Sequence, residues 1–236
     1  MARRNLMLKF ARWHIWLGWL VGVPILMWCI SGLVMTLYPI EEVRGENLLA
    51  AAPLIEPHGL VFPADSLNTA RAISLVEQVD GPAWLVTEAD GGRYRYSART
   101  GEVLPPLIES EARRMAEAAY TGDGKLESVT YFPADVAPMD LRAPFDAWQA
   151  HFSDGTNIYL RSSTGEIVAV RTGWWRFYDF MWGLHIMDLE TRENTSHPVL
   201  TLFAALAVIG ALLGCVLMFR RRKAGPRSGS RSGVRT

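Results

Sequence analysis

The chain has 236 residues, half of them hydrophobic, and its 24 basic residues balance 24 acidic ones. That balance is not local: every acid lies between Tyr38 and Pro198, while eleven Lys and Arg sit in the two flanks outside that segment. The basic residues of the centre are scattered among its acids, and the absence of a basic stripe speaks against nucleic-acid binding.

Residues 1–12 form a basic N-terminus with Arg3, Arg4, Lys9 and Arg12. An uncharged run follows from Trp13 to Ile40, longer than the ~20 apolar residues a helix needs to cross a bilayer. It also exceeds the ~7–15-residue apolar core of a signal peptide, and the small-residue cluster Ala50-Ala51-Ala52 comes too late for cleavage. It reads as an uncleaved anchor, with Trp13, Trp16 and Trp19 as an interfacial belt and Pro24 as an expected bend. Residues 41–66 read as a linker, Pro-rich between Pro53 and Pro63.

Within residues 67–106, Ala72, Leu75, Val76 and Val79 predict a helix over 68–79. Strands Trp84–Glu88 and Arg93–Ser97 follow, with turns at Asp90-Gly91 and Thr100-Gly101. Residues 107–171 repeat the order. Ala112, Met115, Ala116 and Ala119 predict a helix over Glu111–Tyr120, followed by strands Leu126–Phe132, Phe145–Phe152, Asn157–Arg161 and Glu166–Val170. At an offset of 64 residues, Trp84, Asp90, Gly91, Thr100, Gly101 and Glu102 match Trp148, Asp154, Gly155, Thr164, Gly165 and Glu166. Turn chemistry explains the glycines, but not the aligned tryptophans, so the segment reads as two helix-plus-hairpin repeats.

Residues 172–190 are dense in aromatic side chains and predict a helix lying in the membrane interface. A second uncharged span covers 197–219, and residues 220–236 form a basic tail whose Gly/Ser/Arg-rich end, Ala224 to Thr236, reads as disordered. Basic flanks stay on the cytoplasmic side while a long central segment can be exported. The expected architecture is therefore an inner-membrane protein in which two transmembrane helices flank an exported α+β domain. Both termini would be cytoplasmic and the central domain periplasmic. Cys29 and Cys215 fall inside the spans at depths differing by roughly 10 Å, too far apart for a disulfide within one chain. Gly18…Gly22 and Gly210…Gly214 are both G-x-x-x-G patterns, which permit close helix packing or the approach of a flat ligand.

The helix, the hairpin and the closing aromatic-x-x-x-x-Thr-Gly-Glu-[Val/Ile] pattern, as in Tyr159 to Ile167, resemble the PepSY domain. Arg12-Trp13-His14-x-Trp16-x-Gly18 is similar to the first span of PepSY-associated transmembrane proteins. Trp182-Gly-Leu-His185 ahead of a span opening with His197-Pro198 fits the same family. The resemblance covers residues 10–220 and implies an iron-regulated inner-membrane protein. Relatives of that kind include ferric-siderophore reductases, which hold haem between their helices. Larger members have four or more spans, so a complete haem cage in this chain would need a second copy or another membrane subunit.

On that implication His14, His185 and His197 are the candidate ligands of a b-type haem, because neutral imidazole is an axial iron ligand. His14 opens the first span on a face that continues through Gly18, Gly22 and Cys29, where the glycines would leave room for a macrocycle. His185 and His197 are expected at the outer surface, where they could share one haem, while His14 would pair with its own copy in a symmetric dimer. The residues alone favour an interfacial histidine at 14 and a helix cap at 197. His58 lies in the linker, and His151 is expected to be a half-buried sheet residue. The chain lacks a His-Glu-x-x-His zinc motif, a nucleophile elbow, a Walker loop and a dinucleotide fingerprint. The expected function is haem-based electron transfer toward the periplasm, with ferric iron or a ferric siderophore as acceptor. The competing class is a non-enzymatic PepSY binding module or assembly subunit that restrains a peptidase.

Overall fold

The computed structural model describes residues 2–64 and 69–221; the tail from Ala224 onward lies outside them. The chain forms two compact units, one comprising Tyr38–Tyr178 and the other the residues before and after it.

The helical unit contains α1 (Ala2–Met35) and α5 (Pro198–Arg221). Their apolar stretches, Asn5–Met35 and Pro198–Phe219, hold 31 and 22 residues, enough to span the ~30 Å hydrocarbon core at ~1.5 Å per residue. Both are apolar all round, and Trp19, Val23 and Val208 remain exposed along them, as expected where lipid is the solvent rather than protein. Pro24 sits inside α1 without ending it. α4 (Gly173–Ile186) is helical where a helix was expected, and the chain passes from one unit to the other within it.

The sheet domain holds α2 (Ile40–Val43), α3 (Glu109–Ala119) and eight strands: β1 (Ala70–Gln78), β2 (Gly81–Glu88), β3 (Arg93–Ser97), β4 (Val103–Leu104), β5 (Leu126–Phe132), β6 (Ala147–Phe152), β7 (Asn157–Arg161) and β8 (Ile167–Arg171). They make two antiparallel sheets of four, in the orders β1-β2-β3-β4 and β5-β6-β7-β8. Corresponding turn bonds recur in the two sheets. Gly92 N and Thr156 N donate to the Asp90 and Asp154 carboxylates at 2.8 and 3.0 Å, and Gly101 N and Gly165 N donate to Ser97 O and Arg161 O, both at 2.8 Å. Gly101 and Gly165 adopt φ of 79° and 75°, which a side chain would disfavour.

The paired tryptophans now have a reason. The Trp84 indole donates to Val61 O at 2.8 Å, and the Trp148 indole to Leu107 O at 2.9 Å. Val61 N and Leu107 N in turn donate to Ala98 O and Ser162 O. Each tryptophan therefore clamps the extended segment that enters its own sheet.

The helix expected over 68–79 does not form; β1 occupies it and pairs with β2 from Ala70↔Glu88 to Gln78↔Gly81. Four apolar residues at helical spacing fit a helix in so short a window, yet Ile73 and Val76 are β-branched. Asp80-Gly81 beside them is a hairpin signal, and Gly81 takes φ of 116°. Among its described residues the first repeat forms a sheet and no helix.

The sheets are packed chiefly by α3. Its Met115 and Ala116 bury against Ala150, Phe152, Ile158 and Leu160 of the second sheet. Its polar side reaches the first sheet instead: Glu111 pairs with the buried Arg95 at 3.2 Å, and Arg114 with Asp80 at 2.9 Å. Arg95 also donates to Pro105 O at 3.0 Å. The far face of the second sheet is closed by the loop before β6, through Leu141 packed on Ala147, Tyr159 and Ala169. Residues 40–50 dock on the end of α3, where Ala50 N donates to Ala119 O and Thr121 N to Leu48 O.

Glu111 also accepts a bond from Ile108 N at 3.0 Å, so it caps α3 and neutralises Arg95 at once. Glu111→Ala is expected to cost about 3 kcal/mol, the scale for removing one partner of a buried ion pair. Chemical denaturation of the full chain measures it, and Arg114→Ala, which breaks an exposed pair, should cost under about 1 kcal/mol.

Candidate functional site

Leu17 lies against Gly210 and His14 against Gly214, so α1 and α5 run antiparallel. A Cβ at Gly214 would come within 3.0 Å of His14 Cε1, and one at Gly210 within 3.4 Å of Leu17 Cδ2. The second G-x-x-x-G is thus a seat for the first helix. Gly18 and Gly22 have nothing within 4 Å of a Cβ position. Positions four and eight residues on rotate by about 40° and 80° from His14, so the expected face through those glycines turns away from α5 and has open space beside it. The buried stripe of α1 runs through Leu17, Val21, Trp28 and Ser31 instead.

The His14 ring places Nδ1 3.1 Å from Gly210 O. A carbonyl only accepts, so Nδ1 carries the proton and Nε2 keeps its lone pair. His185, near the end of α4, reaches the same state by another route. Its Nδ1 lies 2.9 Å from Ser31 Oγ, and the Ser31 hydroxyl has Met27 O at 2.8 Å and Trp28 O at 3.2 Å as acceptors for its one proton. A hydroxyl proton given to Met27 O lets the imidazole donate to Oγ, the arrangement that leaves Nε2 free. Trp28 Nε1 donates to His185 O at 2.8 Å, and Gly32 has only the His185 Cε1 at 3.7 Å from its Cβ position. Ser31 and Trp28 escaped the sequence reading. The signal was an isolated hydroxyl deep in an apolar run, which needs a partner where no water reaches.

His197 precedes α5, and its carbonyl accepts from Thr201 N at 3.1 Å, which fits the capping role. Its Nδ1 is buried with no hydrogen-bond partner. Counting ~1.5 Å per residue from the His14–Gly214 contact, Ser31 and His197 each lie about 25 Å away along their helices, toward the same end. His185 and His197 therefore belong to one end of the helix pair and His14 to the other. Among the described residues, no three His, Cys, Asp or Glu side chains converge. Cys29 and Cys215 are free and exposed. His151 is half-buried as expected, with Nδ1 2.7 Å from Asn157 Oδ1, and His58 lends only its carbonyl, to Arg99.

A loop fixes the end that carries two of the histidines. α4 stops with Met187 at φ 56°, Met187 N donating to Leu184 O and Asp188 N to Gly183 O, a Schellman ending that normally uses glycine. Asp188 then gathers the loop. It accepts from the Thr191 hydroxyl and from the backbone N–H groups of Glu190, Thr191, Glu193 and Asn194. Arg192 folds back to Asp179 at 2.7 Å, and Trp182 Nε1 donates to Arg192 O at 3.0 Å. The sequence showed only an ordinary acidic connection here, because a carboxylate that ties a loop looks the same as one that solvates it.

The Thr191 hydroxyl, joined by the N–H groups of Asn194, Thr191 and Glu193, holds the Asp188 carboxyl well below the usual carboxylate range, and these outweigh the opposing effect of burial. A depressed folded-state value means the stabilisation is complete above the unfolded carboxyl value of ~3.9 and is lost only as pH falls through the folded one. Proteolytic nicking of residues 188–196 should stay constant from pH 7 to pH 5. Asp188→Asn should raise it several-fold at pH 7, measured by limited proteolysis and mass spectrometry.

Comparison with curated proteins and with solved structures finds no match. One family model, described as the PepSY-associated TM region, matches residues 11–236. With two apolar helices long enough to cross a bilayer and that match over nearly its full length, the chain is a membrane protein and belongs to the PepSY-associated transmembrane family.

Proposed function

We propose that the chain is an inner-membrane protein that binds b-type haem at the ends of its helix pair and passes electrons toward the periplasm, with ferric iron or a ferric siderophore as acceptor. The observation that carries this reading is shared by His14 and His185: each holds Nδ1 against an oxygen, Gly210 O at 3.1 Å and Ser31 Oγ at 2.9 Å, which makes Nε2 the nitrogen available to a metal. Metal-binding histidines are oriented in this way, with the second nitrogen held by a carbonyl or another oxygen. The orphaned Nδ1 of His197 adds a buried nitrogen whose partner is missing from the protein.

His185 and His197 would hold one group between them, and His14 would hold a second together with the same residue of a symmetric copy. Gly210 O and Ser31 Oγ would fix the imidazole orientation, while the α1 and α5 side chains keep water away. The two cysteines lie far apart in sequence and make no Cys-x-x-Cys-His attachment site, so the group would be held without a covalent bond. Haem, when bound, supplies one-electron redox chemistry tuned by ligand identity and burial. The periplasmic binding-module reading rests on a different observation, the independent sheet domain, and needs none of the three histidines.

Protein purified in detergent from haem-supplemented cells should show a Soret band and a sharp α band on dithionite reduction. His185→Ala and His197→Ala should each remove the same fraction of the haem, and His14→Ala the remainder. Ser31→Ala should keep the ligand but weaken haem affinity about tenfold, the scale for losing a second-layer hydrogen bond. A preparation that stays colourless after supplementation would overturn the proposal in favour of the binding module.

A further inference from the structure

The duplication separates what each sheet needs from what only one of them carries. At the same offset of 64 residues, Phe145, Asp146, Arg161 and Ser162 stand where the first repeat has Gly81, Pro82, Ser97 and Ala98. The backbone is shared: Ala83 pairs with Ser97 and Ala147 with Arg161, and Ala98 N and Ser162 N donate to Pro82 O and Asp146 O. Ser97 serves its turn with the side chain, Oγ accepting from Arg99 N and Thr100 N, both at 3.2 Å. The Arg161 side chain has no acceptor to offer in that role. Ring, carboxylate, guanidinium and hydroxyl are therefore additions that the other copy of the fold does without.

These four side chains line one cavity of about 240 Å³, whose wall also includes Pro106, Tyr131 and Ser163. The Arg161 side chain is only 17% exposed. Its guanidinium lies over the Phe145 ring at 3.5 Å, and its Nε is buried without a hydrogen-bond partner. The Glu166 carboxylate stands 3.9 Å from that nitrogen, beyond hydrogen-bond reach. Glu166 is already engaged by Arg93 at 3.2 Å and by the Thr164 hydroxyl at 2.8 Å. Burial and the charge of Arg93 push the Arg161 guanidinium down, as befits a cation short of a counter-ion. A buried donor in that condition is costly unless an acceptor arrives.

The other charge in the cavity decides what that acceptor is. Asp146 accepts from Ala134 N at 2.9 Å and from the Tyr131 hydroxyl, whose pKa it raises. Its negative charge disfavours a dianion such as phosphate, whereas a single carboxylate matches the planar fork of a guanidinium. The volume lies below the ~300–1,000 Å³ of sites for drug-sized molecules, so the ligand is small. We infer that this cavity binds a small organic monocarboxylate, its carboxylate on the Arg161 guanidinium and the Ser162 and Ser163 hydroxyls, its apolar body against Phe145 and Pro106. The site lies wholly within the sheet domain and uses none of the three candidate haem ligands, so its failure would leave the haem proposal standing, and the reverse holds as well.

Saturation-transfer difference NMR on the full chain in nanodiscs, with empty nanodiscs subtracted, tests it with propionate and benzoate as probes. At least one should bind with a Kd of about 1 mM or tighter. Benzamide, which has the shape of benzoate without its charge, and inorganic phosphate should each bind at least about tenfold more weakly. Arg161→Ser installs the residue that the first repeat uses at this position. It should weaken carboxylate binding at least about tenfold while moving Tm by less than about 4 °C. Arg161→Lys keeps the charge and loses the fork, so it should also weaken binding about tenfold even if the serine variant fails to fold. Absence of binding by both carboxylates, equal binding of benzamide, a preference for phosphate, or undiminished binding by either folded variant overturns the proposal.

Discussion

A sheet with apolar side chains on both faces needs something to cover each of them, and in this domain one short helix covers two sheets at once. α3 gives its small apolar side, Ala112, Met115 and Ala116, to the second sheet, and its charged side to the first through Glu111 and Arg114. Small residues let the helix backbone approach closely, which leaves Glu111 short enough a reach to meet Arg95 beneath the first sheet. Burying Phe152, Ile158 and Leu160 under α3 contributes about 1.5–3 kcal/mol each. The ion pair adds little net stability by itself, but it fixes which sheet lies on which side of the helix.

The sequence was readable where local chemistry and tertiary packing agreed. Asp-Gly and Thr-Gly turns at 90–91, 100–101, 154–155 and 164–165 need no distant partner, so the strands between them, β3, β5 and β7, fell at the expected residues. The stretch 70–78 was misread because its apolar spacing satisfies two periods, and the pairing with β2 that decides between them is not local. The aligned tryptophans pointed to a duplication without revealing its purpose. That purpose lay in a hydrogen bond to a carbonyl 23 or 41 residues earlier.

The same division holds for the helical unit. Charge asymmetry and length made the two spans plain. The orientation of His14 was not, since a reading in steps of four carries the eye to Gly18 and Gly22 while the packed stripe follows steps of three and four through Leu17 and Val21. The glycines that matter to His14 are on the other helix, at 210 and 214. Ser31 shows the converse: a residue with no motif around it holds the ring of His185 by its Nδ1.

The sharing of α3 also sets an order of events for the growing chain. The first sheet is complete once Leu104 has been made, yet the residues that cover its inner face begin at Glu109, and those that hold α3 in place continue to Arg171. At ~5–20 residues per second, the interval is about 3–13 s. For that time a finished hairpin sheet, apolar on both sides and open along the nine residues of β1, waits for its covering. Nascent chains in that condition are prone to edge-to-edge pairing until α3 and the second sheet arrive.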